Sequence, residues 1–469
     1  MLFHTPIFLF LFLPFLLLTF YGMHSKWRNY VLLGWSLLFY FWGEPRFLPV
    51  AILSSLVDYQ LTAWMFKSRG TPRAKVYLSL AIAANILLLV YFKYMDFLFG
   101  STNILLTYFD ILPLPLLNIA LPIGVSFLVF EKITYIVDVY RGKGPPVDSV
   151  KNYLLYIFLF PKLLAGPIVK YHDIAEQLRG HHQSIYNFLS GFKRFLLGVI
   201  KKVLIADTFA EVADQIFNLP AGSVGFSQAW LGTLCFTFQI YFDFSAYSDM
   251  AIGLARMLGF KLMENFNMPY IATSFTDFWK RWHISLSSWI KEYLYIPLGG
   301  NQVSPIRVYF NLWLCFLLSG LWHGANWNFI LWGAYNGIFL AIDRFFWLRF
   351  SKQLPPVFNV AVTFFFVMLG WVIFRVTSLP HMGHYFSALL NPWQEGTYIY
   401  MTANQWTAIV IGLVLCFLPL LSKFDTMVAS WRSSKTAKLV ENWSLVLLSV
   451  FAIFKAVSTT FSPFLYFRF

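Results

Sequence analysis

Apolar residues dominate this chain in long windows that contain no Asp, Glu, Lys or Arg. Clear windows cover residues 5–22, 29–43, 76–92, 111–130, 226–242, 308–342, 353–374 and 396–422, and weaker ones broken by single charges lie at 47–64, 153–168, 192–206 and 443–467. A helix that crosses the hydrocarbon core needs about 20 mostly apolar residues. The pattern therefore predicts an all-α polytopic membrane protein with roughly ten to twelve membrane-embedded helices and further re-entrant or interfacial ones. It reads as one integral-membrane domain over 1–469, with N-terminal spans in 1–120, a core in 121–375 and C-terminal spans in 376–469.

Flanking charge predicts the orientation. Residues 5–22 follow no basic residue and precede Lys26 and Arg28, so the positive-inside rule puts the N-terminus outside. Two further spans return the chain to Lys67, Arg69, Arg73 and Lys75 on the same inner side. The stretch 141–202 is densely basic and is expected to dip into the inner interface more than it crosses.

Composition agrees with the windows and narrows the classes. Hydrophobic residues make up 58% of the 469 and charged residues 12%, too few charges to cover a water-facing surface. A soluble enzyme, a disordered scaffold and a nucleic-acid module are excluded. The net charge of +14 fits basic inner loops against anionic lipid headgroups. Cys235, Cys315 and Cys416 lie far apart in apolar runs and form no disulfide framework.

Ionisable residues within apolar runs are costly and mark candidate sites. His323 lies inside the window 308–342, which as one straight helix would be about 52 Å long, well beyond the ~30 Å core. The chain must break there, and Gly320, Gly324 and Asn326 are where it can. Irregular backbone at that depth is tolerated against protein or a cavity, which puts His323, with Trp322 beside it, at a cavity.

His283 lies in FTDFWKRWHISLSSWIKEYLYIPLGGN (275–301). Written on one helix, Lys280, His283, Ser287 and Lys291 form a polar stripe, and the segment reads as an amphipathic helix at the interface whose stripe lines the way in. Residues 236–260 carry Tyr241, Asp243 and Asp249. The two carboxylates sit six residues apart and face different sides, which disfavours paired-carboxylate catalysis and favours ion pairs with basic residues of the next segment. Seven histidines have bland contexts: His4, His24, His172, His181, His182, His381 and His384. The pair His381 and His384 lacks a third ligand, so no metal is expected.

No GxSxG elbow and no GxxxxGK[ST] loop occurs, so a hydrolase serine and an ATP-driven pump are unsupported. A neutral imidazole acting as general base near neutral pH suits what remains.

The segments LPIGVSFLVFEKITYIVDVYRG (121–142), FPKLLAGPIVKYHDI (160–174), YFDFSAYSDMAIG (241–253), ENFNMPYIATSFTDFWKRWHISLS (264–287), YLYIPLGGN (293–301) and LWHGANWNFILWG (321–333) closely resemble the membrane-bound O-acyltransferase family. Within it they are most similar to the branch that acetylates alginate, cellulose or peptidoglycan. The resemblance implies a helical shell around a funnel or tunnel, with His323 of the WHG motif as the essential histidine and His283 of RWHISLS as the second polar residue, 40 positions earlier. It also implies an acetyl donor on the cytoplasmic side, acetyl-CoA, with a polysaccharide acceptor and a periplasmic serine-hydrolase-type acetyltransferase as partner. The location it implies is the bacterial inner membrane, with the N-terminus periplasmic. Asn326, on the face of His323 if the helix continues, is the expected oxyanion donor. Two alternatives stay open: D-alanyl transfer to teichoic acid by the same fold, and a secondary transporter.

Overall fold

Backbone polar groups cannot be left unpaired in lipid, so a chain this apolar must satisfy them within helices. The computed structural model, which describes residues 1–180, 183–220, 222–421, 424–458 and 464–465, contains helices and no strands among those residues. His181 and His182 lie outside them.

The helices in chain order are α1 Phe8–Gly22, α2 Arg28–Gly43, α3 Leu48–Lys67, α4 Pro72–Tyr108, α5 Val125–Arg141, α6 Val150–Phe158, α7 Phe160–Leu163, α8 Tyr171–Arg179 and α9 Ile185–Ile200. They continue with α10 Asp207–Phe217, α11 Phe226–Met257, α12 Phe275–Arg281, α13 Ile284–Ile290, α14 Pro305–His323, α15 Trp327–Ile342 and α16 Pro356–Arg375. The last are α17 Leu379–Leu390, α18 Ala403–Leu420, α19 Phe424–Ser433 and α20 Lys435–Ser458. Among the described residues α4, α14, α16, α18 and α20 are long and apolar enough to cross a membrane, and α1 is a shorter apolar helix. The other expected spans are helical too, but shorter, more polar or broken.

The window 111–130 differs from its reading as a span. Residues 111–122 are irregular and the helix begins only at Val125. Pro113, Pro115 and Pro122 disfavour helix, and the Asp96 carboxylate takes the amides of Leu117, Asn118 and Ile119. Three of the donors that a helix would have paired are thus satisfied by one side chain, and that of Leu114 goes to Asn103 Oδ1 at 2.7 Å.

The chain divides into two compact units, one of residues 1–192 with 251–263 and the other of 193–250 with the chain from 264 onward. In the first unit α5 is buried on nearly every face. Its adjacent charges reach in different directions: Glu131 pairs with Lys162 of α7, and Lys132 pairs with Asp58 of α3 at 3.3 Å. Asn85 of α4 donates to the same Asp58 at 2.8 Å. Charges this deep persist only when paired and hydrogen-bonded, so these contacts fix how α3, α4, α5 and α7 assemble.

The second unit carries the histidines of interest. There α14 and α15 form a tight hairpin, because glycine lets their backbones meet. A Cβ on Gly320 would stand 2.2 Å from the carbonyl oxygen of Phe329, and one on Gly333 would stand 2.4 Å from that of Phe316. The closeness of these two helices fixes the position of the residues at their junction.

Candidate active site

The break expected within 308–342 falls at residues 324–326. Helix α14 ends at His323, Gly324 and Asn326 are extended, and α15 starts at Trp327. Gly324 is required by the packing, since a Cβ there would run into the Phe329 ring at 2.1 Å. His323 therefore sits on the last turn of α14, 7% exposed. Trp322, Trp332 and Phe374 surround its imidazole at centroid distances of 5.0, 5.1 and 5.4 Å, all edge to face. Asn328 holds Phe374 in place by donating to the carbonyls of Phe374 and Val376, which occupies acceptors left over at the end of α16.

His283 lies on no continuous helix, so the stripe of Lys280, His283, Ser287 and Lys291 does not exist as read. Helix α12 stops at Arg281, Trp282 is extended, and His283 takes a left-handed conformation at φ 43° before α13 begins. Such a backbone costs a non-glycine residue about 1–3 kcal/mol. The surrounding chain imposes it: Asn267 N–H donates to Arg281 O at 2.9 Å and Ile284 N–H to Asn265 O at 2.9 Å. Lys280 and Lys291 are exposed, and Ser287 is half-buried with its amide on the His283 carbonyl.

The break turns the His283 ring inward, where it is fully buried. Its Nδ1 lies 3.1 Å from Asn265 Oδ1, and Phe244 stands perpendicular to it at 4.6 Å. The ring lies between two short helices, outside the spanning segments, and burial pushes its pKa down to about 3, which keeps it neutral. Its centroid is 6.5 Å from that of His323. That is too far for a direct hydrogen bond and close enough for one oxygen atom to bridge.

Beside His323 is a cavity whose walls are Trp282, Trp332, Trp371, Phe374, Ile240 and Phe244, with Phe464 and Leu465 completing them. Its free space is about 20 Å³, room for roughly one water. The expected cavity is present, and its walls are aromatic.

The remaining expected residues fall elsewhere. Asn326 is exposed and donates to Thr377 O at 3.4 Å. Because α14 ends before it, Asn326 does not share the face of His323, and the oxyanion assignment fails. Asp243 is buried but does not line the cavity: it pairs with Lys202 at 2.8 Å and accepts from the amide of Leu465 at 2.7 Å. It thus anchors a segment that does line the cavity. Asp249 pairs with Arg194 at 3.0 Å and Lys201 at 2.6 Å, so the carboxylates are in ion pairs as expected, but with preceding residues, not following ones. Tyr241 packs on Tyr270, Phe266 and Trp282, in the layer behind the wall. Trp322 is buried beside both imidazoles, 6.3 Å from His283 and 5.0 Å from His323. Besides wall residues such as Trp371 and Phe374, two amides escaped the sequence reading, Asn265 and Asn328. The available signal was the same for both, an amide in an apolar or aromatic neighbourhood that must find buried partners.

The chain is similar to several known proteins. The model of MBOAT, the membrane-bound O-acyltransferase family, matches residues 37–379. The chain is 40% identical over 491 residues to a probable alginate O-acetylase of Pseudomonas putida, covering 100% of both chains. It is 42% identical over 427 residues to the probable alginate O-acetylase of Pseudomonas aeruginosa, covering 90% of this chain and 81% of that one. A peptidoglycan O-acetyltransferase of Helicobacter pylori is 36% identical over 415 residues, covering 81% and 78%.

Proposed function

This chain belongs to the membrane-bound O-acyltransferase family, an acyltransferase embedded in the membrane, and from that premise we propose that it O-acetylates an exopolysaccharide of the alginate type. The observation that carries the reading is the buried pair of imidazoles, of which His323 lines a small aromatic cavity, in a chain that matches a probable alginate O-acetylase from end to end.

In this reading acetyl-CoA is the donor, reached from the cytoplasmic side of the inner membrane, with the N-terminus periplasmic. The acceptor hydroxyl belongs to the polysaccharide or to a residue of a periplasmic serine-hydrolase-type acetyltransferase that completes the transfer. His323 takes the hydroxyl proton as the oxygen attacks the thioester carbon. The carbon–sulfur bond then breaks, and the thiolate leaves with the proton that His323 returns. His283 orients the reactants, and the apolar, largely aromatic walls limit the water that could hydrolyse the thioester.

The test is His323→Ala in cells whose own gene is deleted, with membrane levels followed by immunoblot and esters on the purified polymer by NMR. The expected result is equal protein and no O-acetyl. Retained acetylation would defeat the assignment. D-alanyl esters in the wild type would move the reading to teichoic acid, and solute uptake without esters would move it to a transporter.

A further inference from the structure

Asn265 is 1% exposed, and its amide orientation is fixed by a donor that cannot change role. The backbone N–H of Ser285 points at Oδ1 at 3.2 Å, and an N–H can only donate. The atom it faces must therefore be the oxygen. Ser285 Oγ lies 2.9 Å from the same oxygen, and Nδ2 on the other side donates to Ser248 Oγ at 3.1 Å. Every polar atom of this amide is committed.

That commitment decides the protonation of His283. Its Nδ1 lies 3.1 Å from this oxygen, which only accepts, and 3.4 Å from Ser285 Oγ, whose single hydrogen goes to the same oxygen at 2.9 Å, so Nδ1 must carry a hydrogen. In a neutral ring the hydrogen of Nδ1 leaves Nε2 bare, as a lone pair. Nε2 is buried and has no hydrogen-bond partner among the described residues. Among the described residues, the rings of Phe244, Trp322 and His323 neighbour His283. Of these, Trp322 and His323 carry N–H groups.

We infer that Asn265 is a positioning residue of the acyltransferase: it locks His283 in the Nδ1-protonated tautomer, so that Nε2 offers its lone pair on the side of His323 across one oxygen atom. The assignment rests on the acyltransferase reading for its use. When His323 is protonated, the neutral His283 then accepts from it through that oxygen atom, at one remove from the carboxylate that accepts directly behind other catalytic histidines. A neutral acceptor avoids burying an unpaired charge in an aromatic pocket, which would be far more costly. The backbone contacts of residues 265 and 267 serve the same end, since they hold the left-handed turn that aims the ring.

The test reads the tautomer directly, in the purified full-length chain carrying ¹⁵N-histidine. The His283 signals are those lost in His283→Gln. The wild type should show a protonated Nδ1 and a bare Nε2. Asn265→Asp, which keeps an accepting oxygen, should preserve that pattern. Asn265→Leu should mix or reverse it and lower kcat roughly 10–100-fold, the range for loss of an orienting partner, with KM little changed. A wild-type ring protonated on Nε2 overturns the assignment, as does Asn265→Leu with unaltered tautomer and kcat. If Asn265→Leu does not fold, the wild-type spectrum alone decides. The spectrum needs no activity, so a wrong tautomer and a wrong function are told apart.

Discussion

Gly320→Ala tests whether the hairpin of α14 and α15 sets the position of His323. The new Cβ would lie 2.2 Å from Phe329 O and 3.0 Å from Gly333 Cα, whereas ordinary contact begins at 3.4 Å. Both obstacles are backbone, so no side-chain rotation relieves them, and the two helices must part locally by about 1.2 Å. His323 is three residues, one turn, further along α14. A displacement near 1 Å of a catalytic group costs roughly 10²-fold in rate, while overpacking of this kind costs about 1–3 kcal/mol of stability. The expected outcome is a protein that still inserts and melts only a few degrees lower, with polymer acetylation down by about two orders of magnitude. Acetyl-ester content by NMR and a thermal melt of the purified chain measure the two effects. Gly34→Ala in α2 is the control, since its Cβ would meet nothing within 4 Å. It should leave activity intact and add about 0.5–1 kcal/mol through helix propensity. Wild-type ester content and an unchanged melt in Gly320→Ala would refute the argument.

Other substitutions probe neighbouring links. Asp243→Asn leaves Lys202 with Asp207 as its remaining partner and weakens the hold on the Leu465 amide. Breaking a buried pair costs about 3–5 kcal/mol, so the melting temperature should fall sharply, and an unshifted melt would remove Asp243 from the anchor. Asn326→Ala and Lys280→Ala alter exposed side chains outside the cavity walls. Each should keep ester content within a factor of about two or three, the loss from a surface change of ±0.5 kcal/mol; a deep loss in Asn326→Ala would restore it as an oxyanion donor. Arg375→Lys keeps the charge facing Asp214 at 2.9 Å but loses the guanidinium lying 5.2 Å over Phe217. A drop of about 0.5–1 kcal/mol in denaturant unfolding is expected, and no change would show that stacking contributes nothing there.

The parts legible in the sequence were those governed by length and cost. The window 308–342 is too long for the bilayer, so a break had to occur, and glycines on both sides of His323 told where. The misread segments share a cause. Residues 275–291 carry a helical rhythm, yet residues 265 and 267 take the backbone groups at 281 and 284 and break the helix at His283. Residues 111–122 are apolar enough to span, yet Asp96, 21 to 23 positions upstream, pairs their amides in an irregular loop. Periodicity and hydropathy measure what a segment does against an unstructured surrounding, lipid or water. They do not register a hydrogen-bonding group brought in from another part of the chain.

Asn265 makes the consequence specific, because its partner is 18 residues away and no pattern within either segment links them. The polar stripe assigned to His283 its neighbours on one helix, Lys280 and Ser287, and both proved to lie outside the cavity walls. A residue that orients a buried imidazole must itself be buried and fully hydrogen-bonded, or the desolvation cost of its amide outweighs what it contributes. In an apolar chain that condition selects amides over charges, and the two side chains that hold the surroundings of the histidines, Asn265 and Asn328, are both amides. Polar residues of modest charge inside apolar windows are therefore where the positioning groups of such a site should be sought, ahead of the lysines and aspartates that first draw the eye.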